Sequence, residues 1–458
     1  MLDRRQFSGA LLAGLAFSGL AGCAGAAGAS GYRNQAAGYG PLVRDPAGVF
    51  DLPQGFSYRI LSATGDRMSD GFFVPDRADG MGCFGLPDGR IALVRNHELK
   101  PHHHATGPTG GRPELEERLR AVAGYSRDEE GRTLPGGTTT IVLDAAAARV
   151  ERQYLSLAGT AVNCAGGPTP WGSWLSCEET VLTRADGLSR DHGWVFEVPA
   201  AGGVAAPVPL TAMGRFKHEA AAVDPRTGIV YLTEDQEDGL FYRFLPERKG
   251  ALARGGRLQA LAWVRGGADS RNWDGIGFVP GSWADVRWVD LENVESPEDD
   301  LRHRGHAKGG ALFARGEGIH RGDGEFFFCC TSGGAAKIGQ VMRYVPSPRE
   351  GTPDEAAEPG RLQLFVESTS SAVLEYGDNL TVAPWGHLIV CEDRGGVPQA
   401  NYLRGITPDG RLYTLGRHPG STELAGACFS PDGKTLFLNL YSPGRTLAIT
   451  GPWASFRG

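Results

Sequence analysis

Residues 163–179 read NCAGGPTPWGSWLSCEE, and this stretch contains the pattern that decides the fold. Small residues come first, a Pro-Trp-Gly turn follows at 170–172, and a short run at 173–176 ends in the polar residues 177–179. Glycine and proline favour tight turns, and a short run between turn signals is typical of a strand. The stretch therefore predicts one β-hairpin.

The same unit recurs along the chain, which indicates a repeat architecture. The six turns occupy residues 87–89, 170–172, 225–228, 322–324, 384–386 and 431–433. The six strands that follow occupy residues 91–94, 173–176, 229–233, 325–328, 387–390 and 435–438. Because a propeller blade consists of such hairpins, we predict an all-β, six-bladed β-propeller. The charged, turn-rich segments 99–134 and 284–309 are expected to be loop insertions over one face.

The composition agrees with this fold and excludes several classes of protein. Gly 68 and Pro 29 together exceed a fifth of the 458 residues, and both are poorly tolerated inside helices. Hydrophobic residues at 41% and charged residues at 22% are ordinary for a globular chain. A net charge of -7 argues against general nucleic-acid binding. We expect a monomer with no nucleic-acid partner.

The N-terminus resembles a twin-arginine export signal. Arg4 and Arg5 precede an apolar run at 10–20, which is too short to span a bilayer. The sequence before Cys23 resembles a lipoprotein box, so Cys23 is a candidate lipid anchor; the alternative is cleavage near residues 24–26. We therefore predict a signal peptide at 1–23, a linker at 24–45 and a single catalytic propeller domain at 46–458. The predicted partners include the twin-arginine translocation machinery, and the predicted location is the periplasm or cell envelope.

The polar ends of the hairpins are expected to meet on one face of the propeller. The start of the strand before a turn and the end of the strand after it lie side by side, away from that turn. The segments that follow strands are 96–98, 177–179, 234–235, 331–332 and 391–393. The segments that precede turns are 163, 218–219, 317 and 378–379.

Carboxylates dominate these segments, and the thiol of Cys177 accompanies them. Calcium takes about 6–8 oxygen ligands from carboxylates, amides and water, whereas a thiolate suits iron or zinc. Each residue alone also fits a turn cap or a solvent-facing side chain, and a lone cysteine fits an inert core position. Recurrence of acidic residues in most repeats favours a metal site at the central mouth. The histidines at 102–104 are expected to form a surface cluster without a role.

Several motifs together resemble the PhoX-type alkaline phosphatases, a family of exported six-bladed propellers. They occupy residues 163–179, 214–219, 315–318, 378–379 and 429–433. The resemblance covers nearly the whole chain after the predicted signal. It implies a hydrolase that releases inorganic phosphate from small phosphomonoesters, using a metal-bound oxygen nucleophile in a cluster of iron and calcium ions.

The resemblance also implies roles for individual residues. Cys177 would be the iron-bridging thiolate, and Cys177, Glu317 and Arg315 would be the catalytic residues. Arg315 would bind phosphate, because a guanidinium matches phosphate oxygens bidentately; a structural salt bridge is the alternative. The implied carboxylate ligands are Glu178, Glu219 and Glu317, with Glu98, Glu179, Glu234, Asp378 and Asp393 as further candidates. Asn163 and Asn379 would supply neutral oxygens, and Lys217, Lys337 and Arg394 are secondary phosphate contacts.

Two other functions stay open at this point. A calcium-dependent lactonase or esterase propeller would need neither Cys177 nor Arg315. A non-catalytic exported scaffold would bind a ligand or partner at the propeller mouth and use metals structurally. The chain has no GxSxG or P-loop sequence, which argues against a serine hydrolase and a P-loop nucleotide hydrolase. The cysteine pairing stays open, and at least one of Cys329 and Cys330 is expected to be buried and reduced.

Overall fold

The computed structural model describes residues 32–144, 146–147, 149–394 and 400–458, together with the backbone of 16–18. The rest of the predicted signal peptide, including Cys23, lies outside the described residues, as does the linker up to residue 31. No helix in the described part of the chain has the length and apolar character needed to cross a membrane.

Strands dominate the structure, and they are accompanied by two short α-helices. In chain order the first strands are β1 (Ala16–Ser18), β2 (Leu42–Val43), β3 (Leu52–Pro53), β4 (Ser57–Ala63), β5 (Ala78–Gly85), β6 (Ile91–His97), β7 (Gly136–Leu143), β8 (Val150–Thr160), β9 (Asn163–Pro168), β10 (Ser173–Glu178) and β11 (Val195–Pro199). The next are β12 (His218–Val223), β13 (Val230–Glu234), β14 (Phe241–Pro246), β15 (Gly256–Trp263), β16 (Trp283–Asp290), β17 (Gly316–Arg321), β18 (Phe326–Cys330), β19 (Gln340–Val345) and β20 (Arg361–Glu367). The last are β21 (Gly377–Val382), β22 (Leu388–Glu392), β23 (Asn401–Ile406), β24 (Leu412–His418), β25 (Leu424–Phe429), β26 (Thr435–Leu440) and β27 (Arg445–Thr450). The helices are α1 (Pro113–Arg120) and α2 (Leu301–Ala307).

Most strands pair antiparallel with their neighbours in sequence. β5–β8 and β21–β24 form four-stranded sheets, and β9–β11 form a three-stranded sheet. β12–β15 and β17–β20 are two meanders that join through β16 into one nine-stranded sheet. β4 pairs with β27, and β1 pairs with β4, so two strands from the N-terminal part of the chain extend the sheet of the last three strands. This closure joins the two ends of the chain.

The first strand of each meander packs against the first strand of the next. β5, β9, β12, β17, β21 and β25 are neighbours in that order, and β25 packs against β5. Their backbones approach closely: a Cβ on Gly80 would lie 2.5 Å from the Ala165 Cα, and one on Gly318 would lie 2.7 Å from the Asn379 Cα. The arrangement is an all-β, propeller-like fold, as predicted.

These inner strands share a β-bulge near their starts. In each of them the register with the partner strand shifts so that two residues oppose one. The bulged pairs are residues 79–80, 164–165, 219–220, 317–318, 378–379 and 426–427. Because a bulge re-aims the side chains of the strand that carries it, this feature decides which residues face the axis.

The structure confirms the predicted hairpins and corrects the predicted insertions. A strand follows each of the six predicted turns, as β6, β10, β13, β18, β22 and β26. The two insertions are not wholly loops, however. Segment 99–134 contains α1, whose Leu115 and Leu119 pack in a buried apolar cluster. Segment 284–309 contains most of β16, which joins two meanders into one sheet, and all of α2.

Candidate metal centre

Five of the six bulges carry a potential metal ligand as their first residue. These residues are Asp79, Cys164, Glu219, Glu317 and Asp378, and the sixth position is Gly426. Each of the five is largely or fully buried. The bulges therefore bring four carboxylates and one thiol, from five different strands, toward the same end of the inner ring.

Three further carboxylates reach the same place from the ends of neighbouring segments. Glu98 follows β6, Glu179 follows β10, and Glu423 precedes β25. Ligand atoms lie within 4.8 Å of one another in three groups, which are Cys164 with Glu179 and Glu219, Asp79 with Glu98 and Glu423, and Glu219 with Glu317 and Asp378. Glu219 belongs to two groups, and the Cys164 Sγ lies 3.6 Å from the Asp79 Oδ2. We call these eight residues the axial cluster.

Burial and mutual repulsion control the charge of the axial cluster. Burial raises the pKa of Asp79, Glu179, Glu219, Glu317 and Glu423, and the charges of neighbouring carboxylates raise each pKa further. These carboxyl groups therefore need a compensating positive charge to ionise together.

Asp378 and Glu219 show the electrostatic environment of single carboxylates in the cluster. Burial followed by repulsion from Asp393 raises the pKa of Asp378 to about 7. Neither carboxylate oxygen of Glu219 has a hydrogen-bond partner among the described residues, although the side chain is fully buried. A buried carboxylate without a partner is costly unless it meets a cation. The donor set thus fits bound metal ions.

The guanidinium of Arg315 lies directly beside the axial cluster. Its Nε donates to Asp235 Oδ1 at 2.7 Å, and its Nη2 lies 2.8 Å from Asp235 Oδ2 and 3.0 Å from Glu317 Oε1. Burial opposes the charge, but attraction to Glu317 and Asp235 raises the pKa of Arg315, so the side chain stays cationic. The side chain is still 39% exposed and can meet a ligand that enters from solvent.

The backbone of Arg315 is also unusual. Its φ is +54°, in the left-handed region that non-glycine residues rarely adopt, and the residues that precede β5, β9 and β21 share this conformation. They are Arg77, Val162 and Tyr376. The turn into these inner strands is therefore built alike, and Arg315 occupies the position immediately before its bulged strand.

Two of the predicted carboxylate ligands accept hydrogen bonds from other residues, and the predicted thiolate ligand lies in the core. Glu178 accepts hydrogen bonds from the Ala161 and Gly193 amides and from His192 Nδ1. Glu234 accepts a hydrogen bond from the Tyr242 hydroxyl at 2.7 Å. The thiol of Cys177 is fully buried in the apolar core among residues such as Leu175, Val195 and Met213.

The predicted amides and the remaining carboxylate lie at the margin of the cluster. Asn163 exchanges hydrogen bonds with Thr160 and Ser176. Asn379 donates to Asp378 Oδ1 at 3.1 Å. Asp393 lies close enough for its charge to raise the pKa of Asp378.

The three residues predicted as secondary phosphate contacts differ in where they lie. Lys217 lies beside Glu179, whose pKa its charge lowers against the effect of burial. Lys337 lies instead over the ring of Trp273, with 4.3 Å between the ammonium nitrogen and the ring centroid. Arg394 forms an ion pair with Glu375 and donates to the Ala400 carbonyl.

Sequence reasoning missed three residues of this site, Asp79, Cys164 and Glu423, and it placed Asp235 at a polar strand end without a role. For Asp79 and Cys164 a signal exists in the sequence. Aligning the six inner strands places an acidic residue or cysteine at the same position in five of them, and a glycine or alanine follows it in four, at 79–80, 164–165, 219–220 and 317–318; at 378–379 the second residue is asparagine. Regular pairing without a bulge brings other residues to the axis, so the predicted hairpins did not reveal this position.

The raised pKa values predict an unusual pH dependence for the metal-free protein. A carboxyl group whose pKa is raised by folding stabilises the protein at low pH and loses that contribution as the pH rises through the folded-state pKa. We therefore expect the Tm of chelator-treated protein to fall by at least about 3 °C between pH 5.5 and pH 8.5. Differential scanning calorimetry with and without added metal would measure this. A Tm that rises over the same range would contradict the electrostatic description.

The chain is similar in sequence to one protein family and in fold to a solved structure. The family model for alkaline phosphatase PhoX matches residues 37–444. None of the curated proteins matches the sequence.

Among solved structures, one similar fold is Pseudomonas fluorescens PhoX in complex with vanadate, a transition-state analogue. It has 19% identity and a TM-score of 0.64, with 93% of this chain and 98% of that chain covered. A gluconolactonase from Xanthomonas campestris matches at 14% identity and a TM-score of 0.39, covering 90% of this chain and 98% of that one.

Proposed function

Because the chain belongs to the PhoX alkaline phosphatase family and is thus a phosphatase, we propose that it hydrolyses small phosphomonoesters at the axial cluster. The observation that carries this assignment is the set of five aligned bulges, which aim four carboxylates and a thiol at one place beside Arg315. A phosphomonoester carries up to two negative charges, so its site must combine several positive charges. Cations in the axial cluster and the guanidinium of Arg315 together meet that need.

We also propose that the fold is a six-bladed propeller. The ring of six inner strands supports this count, because each of them begins a meander and each carries a bulge at the equivalent position. In this description β16 is an insertion that links two blades, and β4 completes the last blade.

The residues of the axial cluster would hold iron and calcium ions. In this proposal Cys164, and not Cys177, is the thiolate ligand of iron, since among the described residues Cys164 is the cysteine whose Sγ lies within 4.8 Å of two carboxylate ligands, whereas Cys177 lies in the apolar core. Glu219, Glu317 and Asp378 would hold one ion, and Asp79, Glu98 and Glu423 another. The chemistry that such ions supply when bound is Lewis acidity toward phosphate oxygens and toward water.

The residues around the cluster then position the substrate. Arg315 would donate to phosphate oxygens, and Asp235 fixes its guanidinium plane through two hydrogen bonds. Glu317 contacts the same guanidinium, which couples the phosphate-binding residue to the cluster. Glu98 is fixed in turn by the Tyr441 hydroxyl, to which Arg77 donates at 2.8 Å. A lactonase would require neither the thiol nor the arginine.

The N-terminal sequence supports an exported protein. The twin arginines at 4–5 and the short apolar run favour twin-arginine export of the folded chain into the periplasm or cell envelope. The lipoprotein-like sequence at Cys23 favours a lipid anchor there. We further propose that the mature protein acts as a monomer.

The assignment is tested on protein purified after native export and without chelator. Elemental analysis is expected to find both iron and calcium, and p-nitrophenyl phosphate is expected to be hydrolysed in a chelator-sensitive reaction. Calcium without iron, together with lactone hydrolysis, would support the lactonase-like alternative. Absence of both bound metal and turnover would leave a binding scaffold as the better description.

A further inference from the structure

A cavity of about 560 Å³ opens beside the axial cluster and shares Glu98 and Glu179 with it. The cavity lies at the ends of β6 and β10, whereas Arg315 lies at the start of β17. Its volume is within the range of small-molecule binding sites and exceeds what a phosphate group alone would fill. Part of its wall is apolar, from Pro101, Val162, Leu182 and Leu188.

Some of the charged side chains that line this cavity already have a role, and others do not. Glu98 and Glu179 belong to the axial cluster. The Asp186 carboxylate accepts hydrogen bonds from the Thr183 amide at 2.7 Å and the Thr183 hydroxyl at 3.0 Å, so it caps its own short turn. The remaining basic side chains of the lining are His102, Lys100 and Lys217, of which the two lysines carry ammonium groups.

These two lysines line the cavity together with Glu98 and Glu179 of the axial cluster. Cations bound by Glu98 and Glu179 would neutralise those carboxylates. The lysine charges would then be available to a ligand in the cavity.

Resting on the phosphatase function proposed above, we propose that this cavity binds the leaving group of the substrate and that Lys100 and Lys217 select leaving groups with an anionic group of their own. The substrate class is a phosphomonoester that also carries a carboxylate or a second phosphate. Lys100 is exposed and Lys217 is half-buried, so both can reach a bound ligand. A lysine ammonium binds either anion as a point charge, and the apolar wall accommodates the carbon chain between the two charged ends.

The test compares two substrates that differ in one group. 3-Phosphoglycerate carries a carboxylate where glycerol 3-phosphate carries a hydroxymethyl group. We expect kcat/KM to be about tenfold higher for 3-phosphoglycerate, mainly through KM, and the preference to shrink with added salt. Lys100→Met or Lys217→Met should each reduce this ratio about three- to fivefold, and the double variant should nearly abolish it.

A matched control and a second substrate pair complete the design. Lys434→Met removes an exposed lysine next to the turn at 431–433, on the opposite face, and should leave the ratio unchanged. Fructose 1,6-bisphosphate against fructose 6-phosphate tests a second phosphate as the anion, so the larger of the two ratios identifies the preferred group.

Two failures can be told apart. Turnover of all four esters with ratios near one, or ratios that the lysine variants do not change, would overturn the leaving-group proposal and leave the phosphatase function intact. Absence of turnover for all four, in protein shown to contain metal, would overturn both.

Discussion

Replacing Cys164 by serine is expected to remove iron and to lower kcat/KM for p-nitrophenyl phosphate by at least about 100-fold, because a hydroxyl is a much weaker iron ligand than a thiolate. The Cys164 Sγ lies within 4.8 Å of ligand atoms of Glu179 and Glu219, so its loss leaves those carboxylates without their softest partner. Metal content and kinetics measured on the same preparation would show both effects.

Cys177→Ser is the matched control, since both cysteines are buried and their strands pair in the same sheet. Cys177 packs among apolar side chains, so a serine hydroxyl there should lower the free energy of unfolding by about 1–3 kcal/mol. We expect iron content and kcat/KM to stay near their original values. Urea denaturation would measure the stability loss. If Cys177→Ser loses iron while Cys164→Ser retains it, the assignment of the thiolate is wrong.

Cys164 and Cys177 show which part of the site could be predicted from the sequence and which part could not. Turn residues and short strands predicted the hairpins, because glycine and proline act locally. They also predicted that polar segments would gather at one end. Which residue of a segment faces the axis depends on register, and a single bulge changes it. In β9 and β10 the bulge places residues 164–165 opposite 177, so Cys164 reaches the cluster and Cys177 lies in the core.

Other differences have equally local causes. Glu178 and Glu234 lie at strand ends, as the cluster carboxylates Glu98 and Glu179 do. Glu178 nevertheless pairs with His192, and one oxygen of Glu234 accepts a hydrogen bond from Tyr242, and no repeat pattern reveals these contacts. Asp235 follows Glu234 directly, and it supplies the partner of Arg315 instead. In segments 177–179 and 234–235 the sequence therefore identified the right place, and hydrogen bonds to other elements decided which member serves the site.

Arg315→Lys is expected to lower kcat for p-nitrophenyl phosphate by about 100-fold with a smaller change in KM. Lysine retains the positive charge, but it cannot present the planar fork that holds Asp235 through two hydrogen bonds and Glu317 through a third. The left-handed backbone at residue 315 is already occupied by a non-glycine residue, so the substitution adds no backbone strain. Metal content should stay unchanged, because the guanidinium of Arg315 has only hydrogen-bond donors and cannot be a metal ligand.

Arg343→Lys provides the control for this experiment, because Arg343 pairs with Glu325 close to the 322–324 turn and away from the axial cluster. Arg343→Lys should leave kcat and KM unchanged.

The Arg315→Lys measurements distinguish a phosphate-binding role of Arg315 from a structural ion pair. If Arg315 only bridges Asp235 and Glu317 as a structural ion pair, Arg315→Lys should lower Tm while kcat per bound metal stays within about threefold. If Arg315 binds phosphate, kcat should fall strongly while Tm and metal content stay unchanged. The guanidinium then acts mainly by stabilising the negative charge of the transition state.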